Sequence, residues 1–379
     1  MSEPLSKIPS GMRYCFGRDA RVRRIIEETA MSVFDGWSYE EIATPTVDYY
    51  SLFEHGMGRS EAHRAFRFTD ADGRLLALRP DVTSGVARAA ATLFREHERP
   101  LRLCYAAPVF RQTAQSRAEW RRESTQIGCE LIGSGHVAAD MEVLAIACEV
   151  LERLGFGSNY TITLNNVEIF NGIAERLALA PALRDEMRQL VDARNATDLN
   201  RFLAPHTTGD DRRAFVQLTE LSGKGETLAN ARRAMANGRS GAALDRLEGL
   251  WRIIESLGLS DNFEIDLGDV SRLDYYTGLS FEIYIKGAGS RIGSGGRYDN
   301  LSAAFGRAEP AVGFVLNVDA LADVLVKCNE DSIRQRAAGS KTSIITDSDP
   351  AALFRDALQM RARGERTLID FGEEEKCRN

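Results

Sequence analysis

The heptapeptide Gly295–Leu301 (GGRYDNL) is the most informative stretch of this sequence, together with the hexapeptide Leu273–Gly278 (LDYYTG) that precedes it. A pair of glycines before an arginine lets the backbone approach a ligand closely, and it suits a hairpin turn equally well. The adjacent tyrosines of the hexapeptide would place one ring on each face of a strand, which ordinary strand packing also explains. We expect Gly293–Gly296 to form a glycine-rich turn between two strands.

Strand and helix patterns surround these two stretches and predict the fold class. Apolar strands are predicted at 101–110, 119–132, 263–267, 281–285 and 312–316, and amphipathic helices at 19–34, 138–154 and 319–327. The pattern predicts an α+β fold in which helices flank an antiparallel sheet. Helical periodicity with few strand signals over about 167–257 indicates a helical insertion in a domain that spans 1–327.

The last part of the chain, 328–379, has a pattern of its own. A strand at 343–346, a helix at 351–363 and a strand at 367–370 form one β-α-β unit. A unit of this size buries too little surface to be a free-standing domain. We therefore expect a short C-terminal α/β segment that docks on the rest of the chain or on a partner.

Composition excludes several classes of protein. The 379 residues contain 48 Lys and Arg against 55 Asp and Glu, a net charge of −7, which excludes a broad basic surface for nucleic acid. No apolar run approaches the roughly 20 residues of a membrane span, and the N-terminus lacks an export pattern. Six dispersed cysteines and five scattered histidines predict a reduced cytoplasmic protein without a metal or other cofactor.

Two groups of polar residues interrupt the apolar pattern. Asp81 and Thr83 stand at the start of a predicted helix, where they either cap the helix or face a ligand. Gln126 and Glu130 are four residues apart on a predicted strand, so both would point to the same face. Two such groups could bind an ammonium group or an imidazole. The arginines nearby, including Arg111, either contact a ligand or belong to a solvated loop.

Taken together and in this order, the segments resemble the catalytic core of histidyl-tRNA synthetase, a class II aminoacyl-tRNA synthetase. The resemblance covers about residues 9–326. The pair LDYYTG and GGRYDNL is highly specific to histidyl-tRNA synthetases and their paralogues. The segments similar to the first, second and third class II motifs and to the histidine-specific signature are, in that order, 39–45, 110–130, 295–301 with 311–314, and 273–278.

The resemblance implies a pocket for L-histidine. Carboxylates can pair with an α-ammonium group or an imidazole N–H, an arginine with a carboxylate, and a tyrosine hydroxyl with the imidazole. Asp81 is one methylene shorter than the acid that is usual at its position. The implied histidine contacts are Asp81, Val82, Thr83, Arg111, Gln126, Glu130, Tyr275 and Tyr276.

The nucleotide-binding positions depart from the synthetase pattern. Thr113 replaces an acid near the adenine, and Ser124 replaces the aromatic residue that stacks on it. The two arginines expected at the phosphates fall at Ser271 and Ala320. An arginine–phosphate bond contributes about 1.5–3 kcal/mol, and base stacking about 1–3 kcal/mol. Losing three such contacts costs on the order of 5 kcal/mol, so we expect no charging of tRNA.

A retained histidine pocket, degraded nucleotide motifs and a short C-terminal segment resemble the family of ATP phosphoribosyltransferase regulatory subunits. The resemblance implies a non-catalytic subunit that activates the short-form ATP phosphoribosyltransferase catalytic subunit and mediates feedback by L-histidine in the first step of histidine biosynthesis. It also implies a homodimer within a hetero-octamer. Two alternatives remain: a divergent histidyl-tRNA synthetase, in which Arg272, Arg291 or Arg297 supplies the missing charge, and a histidine-binding module of another complex.

Overall fold

The structure is a computed structural model, which forms two compact units, Met1–Cys328 and Asn329–Asn379. Among the residues that it describes, no helix is long and apolar enough to cross a membrane. The described residues are 6–113, 120–207, 209–235, 238–270, 276–327, 342–345 and 349–369.

Twelve strands occur in the described part of the larger unit. They are β1 (Glu40–Glu41), β2 (Val47–Tyr49), β3 (Arg67–Thr69), β4 (Leu75–Leu78), β5 (Leu101–Phe110), β6 (Glu123–Ile132), β7 (Tyr160–Asn166), β8 (Ser222–Gly223), β9 (Phe263–Asp266), β10 (Leu279–Ile285), β11 (Gly293–Arg297) and β12 (Ala311–Asn317). Nine of them form one sheet in the order β1-β5-β6-β12-β11-β10-β7-β9-β8. From β5 to β7 in this order, each of the six strands runs antiparallel to its neighbours. Strand β1 pairs in parallel with β5, and β9 pairs in parallel with β7.

Helices cover this sheet and form a separate cluster between β7 and β9. The helices are α1 (Gly17–Gly36), α2 (Tyr50–Met57), α3 (Arg59–Ala62), α4 (Thr83–Ala91), α5 (Val137–Arg153), α6 (Val167–Arg176), α7 (Pro181–Asp192), α8 (Ala196–Leu203), α9 (Gly209–Gln217), α10 (Glu226–Met235), α11 (Gly238–Ser256) and α12 (Val318–Lys327), with 3-10 turns at Leu218–Glu220, Ser260–Asn262 and Leu301–Phe305. The predicted α+β class is confirmed, and α1, α5 and α12 form where the apolar periodicity placed them.

The two faces of the sheet are covered by different helices. Alternate residues of β5, including Leu103 and Tyr105, pack with Val86 of α4 in one apolar cluster. On the other face, the Phe34 ring of α1 meets the Phe314 ring of β12 edge-on, with centroids 6.1 Å apart. This alternation follows from the two-residue period of a strand. It leaves the α4 face of the central strands open beside the start of α4, where a cleft forms.

The prediction of a glycine-rich turn at Gly293–Gly296 is wrong, because these residues belong to strand β11. They pair on one side with β10 and on the other with β12. A Cβ atom on Gly295 would lie 2.4 Å from Phe281 Cζ, and one on Gly296 would lie 2.5 Å from the Leu279 carbonyl oxygen. The glycines are therefore needed for close packing inside the sheet rather than for a change of chain direction.

A small antiparallel sheet, in the order β2-β4-β3, precedes α4. The turn Asp70–Gly73 closes a hairpin, because β3 and β4 pair antiparallel on either side of it. Gly73 has a φ of +79°, which is the left-handed conformation that a tight turn requires of one residue.

The smaller unit consists, in its described residues, of one β-α-β element. Strands β13 (Thr342–Ile345) and β14 (Arg366–Ile369) pair in parallel, and helix α13 (Pro350–Ala362) connects them. Asp349 caps the helix by accepting hydrogen bonds from the backbone N–H groups of Ala351 and Ala352.

Candidate functional site

A cleft opens over the middle of the nine-stranded sheet, with a cavity volume of about 170 Å³. Its floor comes from β6, β11 and β12, one wall from the start of α4, and the other from β10. The predicted histidine contacts that line it are Asp81, Thr83, Arg111, Gln126, Glu130 and Tyr276. Val82 is buried in the apolar cluster beneath α4, and Tyr275 lies outside the described residues.

Glu130 is a buried carboxylate of the cleft that three hydrogen bonds hold in place. Its side chain is buried and accepts hydrogen bonds from Thr83 Oγ1 at 2.8 Å, from Tyr105 Oη at 3.1 Å and from Tyr298 Oη. Burial raises the pKa of Glu130 to about 7, although the three hydroxyl donors oppose the shift. Three donors leave one carboxylate lone pair for a ligand.

Asp81 supplies a second carboxylate at the wall of the cleft. Its Oδ2 accepts a hydrogen bond from Ser84 Oγ at 3.0 Å, whereas its buried Oδ1 has no hydrogen-bond partner. Burial raises the pKa of Asp81 to about 6. A buried acceptor without a donor costs about 1–3 kcal/mol. Asp81 Oδ1 is thus an acceptor that a ligand N–H group would satisfy.

The capping interpretation of Asp81 and Thr83 holds only in part. Asp81 accepts a hydrogen bond from the Ser84 side-chain hydroxyl in the first turn of α4, and the Ser84 backbone also lowers the pKa of Asp81, as at a capped helix start. Thr83, in contrast, directs its hydroxyl across the cleft to Glu130. Val82 occupies the N-cap position without a side-chain capping bond. The start of α4 therefore gives up one capping contact and gains a bond that orients Glu130.

Arg111, Gln126 and Tyr276 complete the wall and floor. Arg111 Nε donates to the Pro80 carbonyl oxygen at 3.2 Å, next to Asp81, and its charge lowers the pKa of that carboxyl group against the larger effect of burial. Gln126 is buried on the same strand face as Glu130. Burial also raises the pKa of Tyr276, so its hydroxyl stays protonated and can donate.

Glycines make room for these side chains. A Cβ atom on Gly313 would lie 1.7 Å from Glu130 Oε2, one on Gly128 would lie 2.8 Å from Tyr105 Oη, and one on Gly296 would lie 3.0 Å from Tyr276 Cε1. Each of these glycines lies on a central strand directly under a polar residue of the cleft. At these three positions the floor is glycine backbone, and the Glu130 carboxylate and the rings of Tyr105 and Tyr276 pack directly against it.

Tyr105 and Tyr298 are functional candidates that sequence reasoning missed. Both donate to Glu130 from within the buried core. Tyr298 belongs to the GGRYDNL stretch, so its motif was a usable signal. Tyr105 lies in the apolar strand β5, where a tyrosine is expected to pack in the core, so nothing in the sequence indicated a role in the cleft.

The opposite end of the cleft, lined by Ser124, Asn317 and Ala320, has a different character. Ser124 and Ala320 provide neither an aromatic ring nor a charge there. Arg121 Nη2 bonds Asp323 Oδ2 of α12 at 2.7 Å, which ties the residues before β6 to α12 beside this end. The Arg121 guanidinium is thus paired with a carboxylate, although its buried Nε has no hydrogen-bond partner, and Arg122 also lines the cleft.

The arginines considered as replacements for the missing cations have other partners. Arg291 bonds Glu282 at the β10 side of the cleft. Arg297 is buried on the far face of the sheet, where it pairs with Asp140. Arg272 lies outside the described residues. Within the described residues, no group of three or more His, Cys, Asp or Glu side chains is arranged to hold a metal ion.

Comparison with known proteins gives consistent matches over nearly the whole chain. Residues 11–321 match the family model of histidyl-tRNA synthetase. An ATP phosphoribosyltransferase regulatory subunit from Moorella thermoacetica is 34% identical over 96% of this chain and 92% of its own length. One from Geobacter sulfurreducens is also 34% identical, over 96% of this chain and 83% of its own length.

Solved structures agree with these sequence matches. A crystal structure from Bacillus halodurans, described as an ATP phosphoribosyltransferase regulatory subunit/histidyl-tRNA synthetase, superposes with a TM-score of 0.86 at 28% identity, covering 97% of this chain and 93% of that one. The histidyl-tRNA synthetase from Nostoc superposes with a TM-score of 0.77 at 19% identity, covering 99% and 88%. The second match shows the shared fold alone.

Proposed function

The chain belongs to the family of ATP phosphoribosyltransferase regulatory subunits, which share the fold of histidyl-tRNA synthetases, and we propose that it senses L-histidine in the cleft. As a regulatory subunit of histidine biosynthesis, it acts on a catalytic ATP phosphoribosyltransferase subunit. Histidine in the cleft then suppresses the activation that the chain gives to this partner, the short-form catalytic subunit. The observation that carries this proposal is the unpartnered buried oxygen of Asp81 beside the hydrogen-bonded Glu130.

The polar groups of the cleft are complementary to each end of histidine. Asp81 Oδ1 offers an acceptor to the α-ammonium group, and Glu130 offers its remaining lone pair to an imidazole N–H. Arg111, which lies against Pro80, provides a cation for the α-carboxylate. A ligand that carries a cation, an anion and a ring N–H satisfies all three groups, and histidine does so in one compact molecule.

The same cleft lacks what nucleotide chemistry requires. Formation of an adenylate needs preorganised positive charge at the phosphates and a platform for the base. Ser124 and Ala320 supply neither, and Arg121 is already neutralised by Asp323. We therefore propose that the chain is not itself an enzyme and does not charge tRNA.

Assembly and location complete the proposal. The chain forms a homodimer through the region that resembles the first class II motif, within a hetero-octamer with the catalytic subunit. Its thiols at Cys15, Cys104, Cys129 and Cys148 are free, which suits the reducing cytoplasm where we propose that it acts.

The decisive experiment is reconstitution with the short-form catalytic subunit from the same source. Formation of phosphoribosyl-ATP is followed with the catalytic subunit alone, with this chain added, and with L-histidine added to the mixture. Activation by the chain that histidine then suppresses is the expected result. Absence of both activation and co-elution contradicts the regulatory proposal. Histidine-dependent ATP–pyrophosphate exchange by the pure chain contradicts the proposal that it is not an enzyme.

A further inference from the structure

We propose that Arg297, Asp140 and Arg246 form a relay that carries the occupancy of the cleft to helix α11. The proposal rests on the proposed function, because L-histidine is the ligand whose presence is relayed. It concerns how a binding event leaves the cleft and which part of the chain receives it. Helix α11 belongs to the helical cluster inserted between β7 and β9.

The relay begins where β11 ends, at two adjacent residues that face opposite sides of the sheet. Tyr298 Oη donates to Glu130 in the cleft, whereas the Arg297 side chain points to α5 on the other side. The Tyr298 N–H donates to the Ala311 carbonyl oxygen at 2.8 Å, and the Arg297 carbonyl oxygen accepts from the Thr277 N–H at 2.7 Å. A ligand that takes the remaining lone pair of Glu130 and shifts the Tyr298 hydroxyl therefore acts on the residue next to Arg297, in the same hydrogen-bonded strand end.

Arg297 is rigidly held on the far face. It is 1% exposed, and its Nε and Nη2 both donate to Asp140 Oδ1, at 3.0 and 2.6 Å. Its Nη1 donates to the Ser134 carbonyl oxygen at 3.1 Å. Separating a buried ion pair leaves an uncompensated charge and is strongly unfavourable. Asp140 and the first turn of α5 must therefore follow any movement of Arg297.

Arg246 of α11 connects to the same carboxylate. Its Nη2 lies 3.9 Å from Asp140 Oδ2 and donates to the Gly135 carbonyl oxygen at 3.1 Å. The Arg246 side chain is half-exposed, so its removal leaves no buried charge unpaired, in contrast to removal of Arg297. Arg246 is thus the member of the relay that can be changed while the fold is kept.

Hydrogen–deuterium exchange with and without L-histidine tests the relay in the full-length chain. In the wild-type protein we expect histidine to change exchange in peptides of β6 and of α11, by about threefold in α11. In Arg246→Gln we expect the change in β6 to persist and the change in α11 to disappear. Arg252→Gln is the matched control, because Arg252 lies on α11 and, within the part of the chain that the structure describes, donates to the Glu248 carbonyl oxygen of the same helix. It should behave as wild type.

The outcomes separate the relay from the proposed function. Histidine binding by calorimetry and protection of β6, without any change in α11 of the wild-type chain, overturns the relay and leaves histidine sensing intact. An unchanged response of α11 in Arg246→Gln also overturns it. No histidine binding to the wild-type chain overturns the proposed function and the relay with it. A purely structural role of Arg246 would alter α11 exchange equally with and without histidine.

Discussion

The two ends of the cleft differ in how completely their polar groups are organised. At the histidine end, Glu130 accepts from three hydroxyl groups, and glycines leave room for it. At the other end, Ser124 and Ala320 contribute no charge, and Arg121 is paired with Asp323. Both ends lie on strands β6 and β12, so the backbone that supports them is the same. The difference lies in side chains alone.

The proposed function implies that one scaffold keeps a binding site while it loses a catalytic one. A buried carboxylate is costly unless it is hydrogen-bonded, and the three hydroxyl donors of Glu130 satisfy it in part while leaving one acceptor position for a ligand. Catalysis at a nucleotide site requires charge that stabilises a transition state, and Ser124 and Ala320 contribute no charge at the other end of the cleft. The predictions below test whether the two ends are as independent as this comparison suggests.

The largest effect is expected from Glu130→Ala. Loss of this charged partner should weaken histidine binding by about 2–4 kcal/mol, which is roughly 30- to 900-fold. Isothermal titration calorimetry on the folded variant measures it. Glu282→Ala is the matched control, because Glu282 lines the same cleft outside the proposed histidine contacts and pairs with Arg291. Equal losses in both variants would refute the assignment of Glu130.

The pH dependence of stability should be the next largest effect. Burial raises the pKa of Glu130 to about 7 and that of Asp81 to about 6, so the empty folded chain holds protons that the unfolded chain releases. The stabilisation is complete below about pH 4 and is lost as pH rises through 6 to 7. We expect the free energy of unfolding to fall by about 3–4 kcal/mol between pH 5 and 8, since each unit of pKa shift contributes about 1.4 kcal/mol.

Denaturant unfolding across this pH range measures the decrease. Glu130→Gln cannot ionise and should flatten the curve, and saturating histidine should flatten it too, because a bound cation favours the ionised carboxylates. A curve that rises with pH and is unchanged in Glu130→Gln would contradict the assignment of the titration to this carboxylate.

Gly313→Ala should produce a smaller loss that is confined to the histidine end. The new methyl group would lie 1.7 Å from Glu130 Oε2 and must displace that carboxylate. Overpacking of this kind costs about 1–3 kcal/mol, and histidine affinity should fall by a similar amount. Gly249→Ala is the control, since nothing lies within 4 Å of its Cβ position. Unchanged histidine affinity in Gly313→Ala would show that the carboxylate position is not needed.

The smallest effect is expected at the nucleotide end. Ala320→Arg returns an arginine to α12, and histidine affinity should change by less than about twofold, as for a surface substitution away from the ligand. ATP–pyrophosphate exchange should stay absent, because Ser124 and the paired Arg121 are unchanged. Exchange activity in this variant would show that a single charge separates the two functions, and the ends would then be less independent than their side chains indicate.

Much of the fold was predictable because it follows local patterns. The strand at 101–110 and the helix at 19–34 follow directly from apolar periodicity, and both are confirmed by β5 and α1. The turn predicted at Gly293–Gly296 failed because two glycines are as compatible with a tightly packed strand as with a turn. Only the neighbouring Phe281 and the Leu279 carbonyl oxygen distinguish the two.

The candidate site was predictable only through its motifs. The spacing of Gln126 and Glu130 placed both on one strand face, and the structure brings both to the cleft. The hydroxyl of Tyr105 and the unpartnered oxygen of Asp81 had no local signal. The pairing of Arg297 with Asp140 had no local signal either, since Asp140 lies 157 positions earlier in the chain.

The sequence by itself determined the α+β class, the family and the residue types at the positions that resemble the nucleotide-binding motifs, because periodicity and residue identity are local properties. The tertiary structure decided which carboxylate accepts three hydroxyl donors, which has an oxygen without a donor, and which arginine is buried. Those outcomes depend on hydrogen bonds and desolvation between residues far apart in the chain, such as Thr83 with Glu130. Burial and pairing arise only when the strands have assembled, and they separate the two ends of the cleft.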